Sequence, residues 1–186
     1  MPFIETDFPG LLIFEPRVFE DSRGYFFESF NDRIFREQGI GSQWVQDNQS
    51  GSNYGVIRGL HYQLPPNAQT KLVRVLCGEI LDVVVDIRKG SPFYGKVFSL
   101  VLSSDNKKQL LIPKGFAHGF SVLSEKAEVL YKCDGFYGKE SEGGILYNDP
   151  ALNIDWGIPA DRAIISEKDK LLPPLSGCEN SFVYNQ

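Results

Sequence analysis

Four side chains in this sequence are of the right types for proton transfer beside a carbonyl: His61, Lys71, Tyr131 and Asp169. Such chemistry needs a base that is neutral near physiological pH, a proton donor across the substrate, and a cation for negative charge developing on oxygen. His61 suits the first role, Tyr131 the second and Lys71 the third. A carboxylate should orient the imidazole and raise its basicity, and Asp82 and Asp169 are both candidates. A lone histidine is more often a satisfied structural residue. Here Arg58, His61, Gln63 and Lys71 fall within fourteen residues, and that clustering favours a site.

The stretch from Gly55 to Leu76 reads as two strands joined by a loop holding Pro65 and Pro66. Alternation places Arg58, Leu60 and Tyr62 on one face and Gly59, His61 and Gln63 on the other. On the second strand Lys71, Val73 and Val75 share a face. His, Gln and Lys at inward positions do not suit an apolar core; they suit the wall of a polar pocket.

Other chemistries fit poorly. The chain has two histidines, His61 and His118, and no H-x-H pair, so no metal is expected. No G-x-S-x-G elbow and no glycine-rich phosphate loop entering a helix is present. The three cysteines, Cys77, Cys133 and Cys178, are odd in number and widely spaced, which suits buried thiols in a reducing compartment.

The supporting elements are read from the pattern. The 186 residues predict one domain. Eighteen Gly, eleven Pro and many short alternating runs predict an all-β double-sheet jelly roll. Expected strands include 11–16, 80–87, 96–102, 109–112, 116–122 and 128–133. One helix is expected over 31–38, with Asn31 as N-cap and Gly39 beyond its end. Trp44 to Ser50 alternates weakly and is amide-rich, Ser50 to Tyr54 reads as a loop, and Asp134 to Gly144 reads as a Gly-rich loop. The last forty or so residues read as short elements tied by turns. The net charge of −5 is dispersed, so a nucleic-acid partner is not expected. No signal peptide or apolar span is legible, and a cytoplasmic protein is expected.

Ordered motifs cover almost the whole chain: D-S-R-G-Y-F-F-E (21–28), Q-D-N-Q-S (46–50), G-V-I-R-G-L-H-Y-Q (55–63), K-L-V-R-V (71–75), I-P-K-G-F-A-H-G-F (112–120), L-Y-K-C-D (130–134) and S-E-K-D (166–169). In these the chain resembles the dTDP-4-dehydrorhamnose 3,5-epimerase family of the cupin superfamily. The resemblance implies a cofactor-free isomerase acting on dTDP-4-dehydro-6-deoxy-D-glucose. It implies His61 as base with Asp169 as its partner, Lys71 holding the enolate oxygen, and Tyr131 as acid. It maps Arg23, Glu28, Gln46, Asp47, Asn48, Arg58, His118, Glu142 and Lys168 to nucleotide- and sugar-binding positions, with Phe26 and Tyr137 as stacking or lining contacts. It also implies a homodimer in which an N-terminal segment crosses to the partner. A pairing of His118 with Asp82 is a separate expectation, drawn from their polar inward positions. The alternatives are an enzyme of the same fold that inverts C3 alone or isomerises the ketone, a non-catalytic sugar-nucleotide-binding cupin, and a metal-dependent cupin.

Overall fold

The computed structural model describes residues 2–41 and 43–184. Two six-stranded sheets face each other. The first runs in the order β1 (Phe3–Glu5), β2 (Leu12–Phe14), β10 (Gln109–Ile112), β7 (Lys71–Cys77), β12 (Lys126–Cys133) and β5 (Gln46–Asn53). The second runs β13 (Glu142–Gly144), β6 (Val56–Gln63), β11 (Phe116–Val122), β8 (Glu79–Asp86) and β9 (Val97–Ser103), with β14 (Ile164–Ile165) parallel to β6. A separate hairpin joins β3 (Val18–Asp21) and β4 (Gly24–Phe27). Helix α1 spans Asp32–Glu37, and Asn31 Oδ1 caps it by accepting the Arg33 N–H at 3.0 Å. Helix α2 spans Glu167–Lys170.

Alternation explains the three apolar layers. Between the sheets, Val73, Val75, Leu110 and Val129 meet Ile80, Val84, Phe116 and Phe120. Outside the second sheet, Leu60, Val83 and Val85 are covered by Ile145, Leu152 and Trp156 of the C-terminal region. Outside the first sheet, Leu72, Leu111 and Phe14 receive Phe35 of α1. Asp149 pins the C-terminal segment by accepting the Leu175 N–H at 2.7 Å. The jelly roll expected from the pattern is present.

Two segments differ from the sequence reading. Ser50 to Asn53 is strand, not loop, because β5 pairs with β12 along its full length, from Gln46↔Cys133 to Asn53↔Lys126. Pairing outweighs the Ser/Gly/Asn composition, as it readily does in a sheet. Glu142–Gly144 likewise leaves the expected glycine-rich loop to pair with β6.

A third difference matters most. Strict alternation put Arg58 and His61 on opposite faces of β6. In the structure His118 pairs with His61 but Phe120 pairs with Arg58, so Gly59 and Leu60 together oppose Gly119. This bulge resets the alternation. Leu60 turns into the outer apolar layer, while Arg58 and His61 line one cavity. Gly59 and Gly119 make it possible. A Cβ on Gly59 (φ +120°) would lie 2.6 Å from Gly119 Cα and 2.8 Å from the His118 carbonyl oxygen. Both neighbours are backbone and cannot swing aside. Gly59→Ala is therefore expected to destabilise the fold by more than about 1 kcal/mol, read as a lower urea midpoint at unchanged slope. An unchanged midpoint would show that the bulge has room for a side chain.

Candidate active site

His61 is set on the second sheet by the bulge, and Asp169 reaches it from α2, 108 residues later. His61 Nε2 lies 2.8 Å from Asp169 Oδ1. Asp169 is only 4% exposed and is anchored on other sides: its Oδ2 accepts the Gly59 N–H at 3.3 Å, and its own N–H donates to Ser166 Oγ at 3.1 Å. Burial alone would push the Asp169 carboxyl up. The His61 hydrogen bond and charge, with the Gly59 N–H and Ser166, outweigh it and hold the carboxyl below its ordinary value. An ionised carboxylate can only accept, so His61 donates through Nε2, and in the neutral imidazole the lone pair then falls on Nδ1.

Lys71 and Tyr131 come from the first sheet, on β7 and β12. The Lys71 ammonium sits 5.8 Å from the Tyr131 ring centroid. Burial lowers the Lys71 pKa, partly countered by Cys133 and Asp82. Burial also raises the Tyr131 hydroxyl. The first shift marks an ammonium short of compensating negative charge; the second keeps the Tyr131 hydroxyl protonated.

These groups stand where two cavities meet. One, of about 780 Å³, is lined by Gln46, Asn48, His61, Lys71, Tyr131 and Tyr137 among others. The second, of about 540 Å³, holds Arg58, His118 and Asp169 against the same His61, Lys71 and Tyr131. Lys168 lines both. Its ammonium pairs with Glu142 at 2.6 Å, which lowers the Glu142 carboxyl and raises Lys168. A hydrogen bond to Glu142 raises the Tyr137 hydroxyl. Arg58 bonds to Ser52 Oγ at 3.1 Å and has no ion-pair partner among the described residues. Its guanidinium is thus available to an anion. His118 is buried, with Nε2 2.6 Å from Asp82 Oδ1, so the expected pairing is formed.

Four expected site residues are not brought to these cavities. Asp47 faces away from them, because alternation along β5 separates it from Gln46 and Asn48; it forms an ion pair with Lys132 at 3.0 Å. Arg23 and Phe26 lie on the β3–β4 hairpin, where Arg23 pairs with Asp21 at 2.5 Å, and Glu28 lines a separate hollow with Phe26. In the other direction, the larger cavity includes Gln69, Leu172, Pro173 and Glu179, which were not expected as site residues, and Gln63, which the sequence placed in a polar pocket wall without a specific role. The spacing of Gln63 from His61 is a legible signal. Nothing in the irregular C-terminal sequence marks Leu172, Pro173 or Glu179.

Comparison with known proteins identifies the family. The family model described as dTDP-4-dehydrorhamnose 3,5-epimerase matches residues 5–177. A dTDP-4-dehydrorhamnose 3,5-epimerase from Shigella flexneri is 55% identical over 170 residues, covering 91% of this chain and 93% of the relative. The crystal structure of the Elizabethkingia anophelis dTDP-4-dehydrorhamnose 3,5-epimerase superposes with a TM-score of 0.90 at 50% identity, covering 94% of this chain and 96% of that one. A Legionella pneumophila dTDP-6-deoxy-D-glucose-3,5-epimerase, solved with dTDP-4-keto-L-rhamnose, has a TM-score of 0.90 at 48% identity, covering 94% and 93%. With a family model spanning nearly its full length and relatives at about half identity, this chain belongs to the dTDP-4-dehydrorhamnose 3,5-epimerase family.

Proposed function

We propose that the protein inverts C3 and C5 of dTDP-4-dehydro-6-deoxy-D-glucose, giving dTDP-4-dehydro-L-rhamnose by proton transfers alone. The observation that carries this reading is the facing of the His61–Asp169 pair on one sheet by Lys71 and Tyr131 on the other. The C4 ketone makes the C3 and C5 hydrogens acidic. His61 Nδ1 accepts one of these protons. The C–H electrons move to form a C=C bond, and the carbonyl electrons move to O4. Lys71 stabilises that enolate oxygen. The carbon is now planar, and Tyr131 donates its hydroxyl proton to the face opposite His61, which inverts the centre. The imidazolium and phenolate return to their starting states by exchange with solvent. Asp169 stays ionised throughout and stabilises the imidazolium.

Arg58, Gln46, Asn48, His118, Tyr137, Glu142 and Lys168 bind the nucleotide-sugar in this reading, with Arg58 on the diphosphate. We place Arg23, Phe26 and Glu28 in the same role on a second copy. Their segment carries exposed aromatics, Phe26 at 71%, and lines neither of the two cavities that hold His61. A homodimer that exchanges this segment would bring all three to the partner's site. No described helix is long and apolar enough to cross a membrane. The three free thiols support a cytoplasmic setting.

Two measurements test the chemistry. In deuterated water, the native protein is expected to exchange the C3 and C5 hydrogens and accumulate the L-lyxo product. His61→Asn should slow both exchanges by about 10²–10⁴-fold while retaining nucleotide binding. Tyr131→Phe should still wash deuterium into C5 but without inversion. Exchange at C3 alone in the native protein would point to a single-centre epimerase; exchange undiminished in His61→Asn would remove His61 as the base.

The pH profile tests Lys71. Its lowered pKa means that its charge is lost as pH rises sooner than for an exposed lysine, while the raised Tyr131 remains protonated. Activity should therefore fall on the alkaline side as Lys71 titrates. Lys71→Arg keeps the charge at any accessible pH, so its residual kcat/KM should extend to higher pH than the native enzyme's. An alkaline limb unmoved by Lys71→Arg would assign that limb to another group.

A further inference from the structure

Two neighbouring N–H groups of the loop 134–138 are each held by a glutamine side chain. The Tyr137 N–H donates to Gln46 Oε1 at 3.1 Å, and the Gly138 N–H donates to Gln63 Oε1 at 2.8 Å. Gln46 belongs to β5 of the first sheet and Gln63 to β6 of the second. The loop is thus fastened to both sheets at the larger cavity. Gln63 is 7% exposed, two residues from His61, and the register partner of Glu142. Glu142 in turn holds the Lys168 ammonium at 2.6 Å.

The rest of the loop is tied in the same manner. Asn67 Nδ2 donates to the Phe136 carbonyl at 3.2 Å, and Gln69 Nε2 donates to the Gly135 carbonyl at 2.7 Å. A Cβ on Gly138 would lie 2.6 Å from Asn67 Oδ1, so a side chain there would displace Asn67. The Tyr137 side chain itself is half exposed. Its place over the cavity depends on these polar anchors more than on packing.

We infer that Gln63 is a positioning residue: by holding the Gly138 N–H it fixes Tyr137, and Tyr137 sets where the nucleotide-sugar lies against His61 and Tyr131. Gln63 does not take part in proton transfer. Its carbonyl oxygen satisfies a half-buried N–H; without that acceptor the N–H must find water, and the loop carries Tyr137 with it. This rests on the epimerase reading above, in which Tyr137 contacts substrate.

The experiment is a double-mutant cycle on the epimerase reaction. Gln63→Met keeps the side chain's length and removes the acceptor. It is expected to raise KM on the order of tenfold while the native ratio of C3 to C5 exchange at saturation shifts. In a Tyr137→Ala background the same substitution should change KM by less than about twofold, because the group it positions is gone. Equal KM effects in both backgrounds, or no effect in the native background, would overturn the inference. If Gln63→Met does not fold, Gln63→Leu removes the same acceptor with a different apolar side chain, and the same cycle applies with the same two outcomes. A native enzyme without activity would instead refute the epimerase reading, so the two failures are distinct.

Discussion

One hydrogen bond, between His61 Nε2 and Asp169 Oδ1, joins two side chains 108 residues apart in the chain. His61 belongs to a central strand of the second sheet. Asp169 belongs to a single helical turn in a region with little regular structure. For them to meet, the C-terminal region must wrap the outside of the second sheet, and the apolar layer of Leu60, Ile145, Leu152 and Trp156 makes it do so. The Gly59 N–H gives the carboxylate a second donor from the bulge itself. The same backbone irregularity therefore aims the imidazole and anchors the group that orients it. An imidazole with a fixed donor side has a fixed acceptor side, and the direction of proton removal follows from that.

The remainder of the site depends on keeping charged groups between two sheets that elsewhere pack as an apolar core. Lys71 and Val73 share one face of β7, but Val73 enters the inter-sheet core and Lys71 enters the cavity. Burying an ammonium and a phenol is unfavourable, and it shifts both pKa values in the directions useful for catalysis. The stability lost at these positions is offset by the three surrounding apolar layers. Asp82 and His118, paired at 2.6 Å beneath the smaller cavity, add a second buried His–carboxylate contact to the same wall. In the proposed mechanism sheet one supplies the cation and the acid and sheet two the base, which puts the substrate between them.

Much of this was legible before the structure. Period-two alternation located β7 and β8, short runs bounded by turn residues located β10 and β11, and the Asn31 cap with Gly39 located α1. His61, Lys71, Tyr131 and Asp169 were named from residue type and motif, and they do line adjoining cavities. Alternation failed at Arg58, because a bulge is set by long-range pairing with Gly119 and leaves only two glycines as a trace. Composition failed at Ser50 to Asn53, where a partner strand decided the conformation. Asp47 was grouped with Gln46 and Asn48 by motif, although alternation alone separates it from them. The parts contributed by Leu172, Pro173 and Glu179 depend on how an irregular segment lies against the sheet, and no local pattern encodes that.

The proposed mechanism requires that Asp169 hold the neutral His61 imidazole with its proton on Nε2 and its lone pair on Nδ1. Nitrogen-15 NMR of the histidine side chains measures this directly, and with only two histidines in the chain a single His118 variant assigns the signals. The neutral His61 imidazole should show a protonated Nε2 and a bare Nδ1, and Asp169→Asn should abolish that preference. A neutral imidazole protonated on Nδ1 in the native protein would contradict the mechanism, because the nitrogen assigned to accept the substrate proton would already carry one.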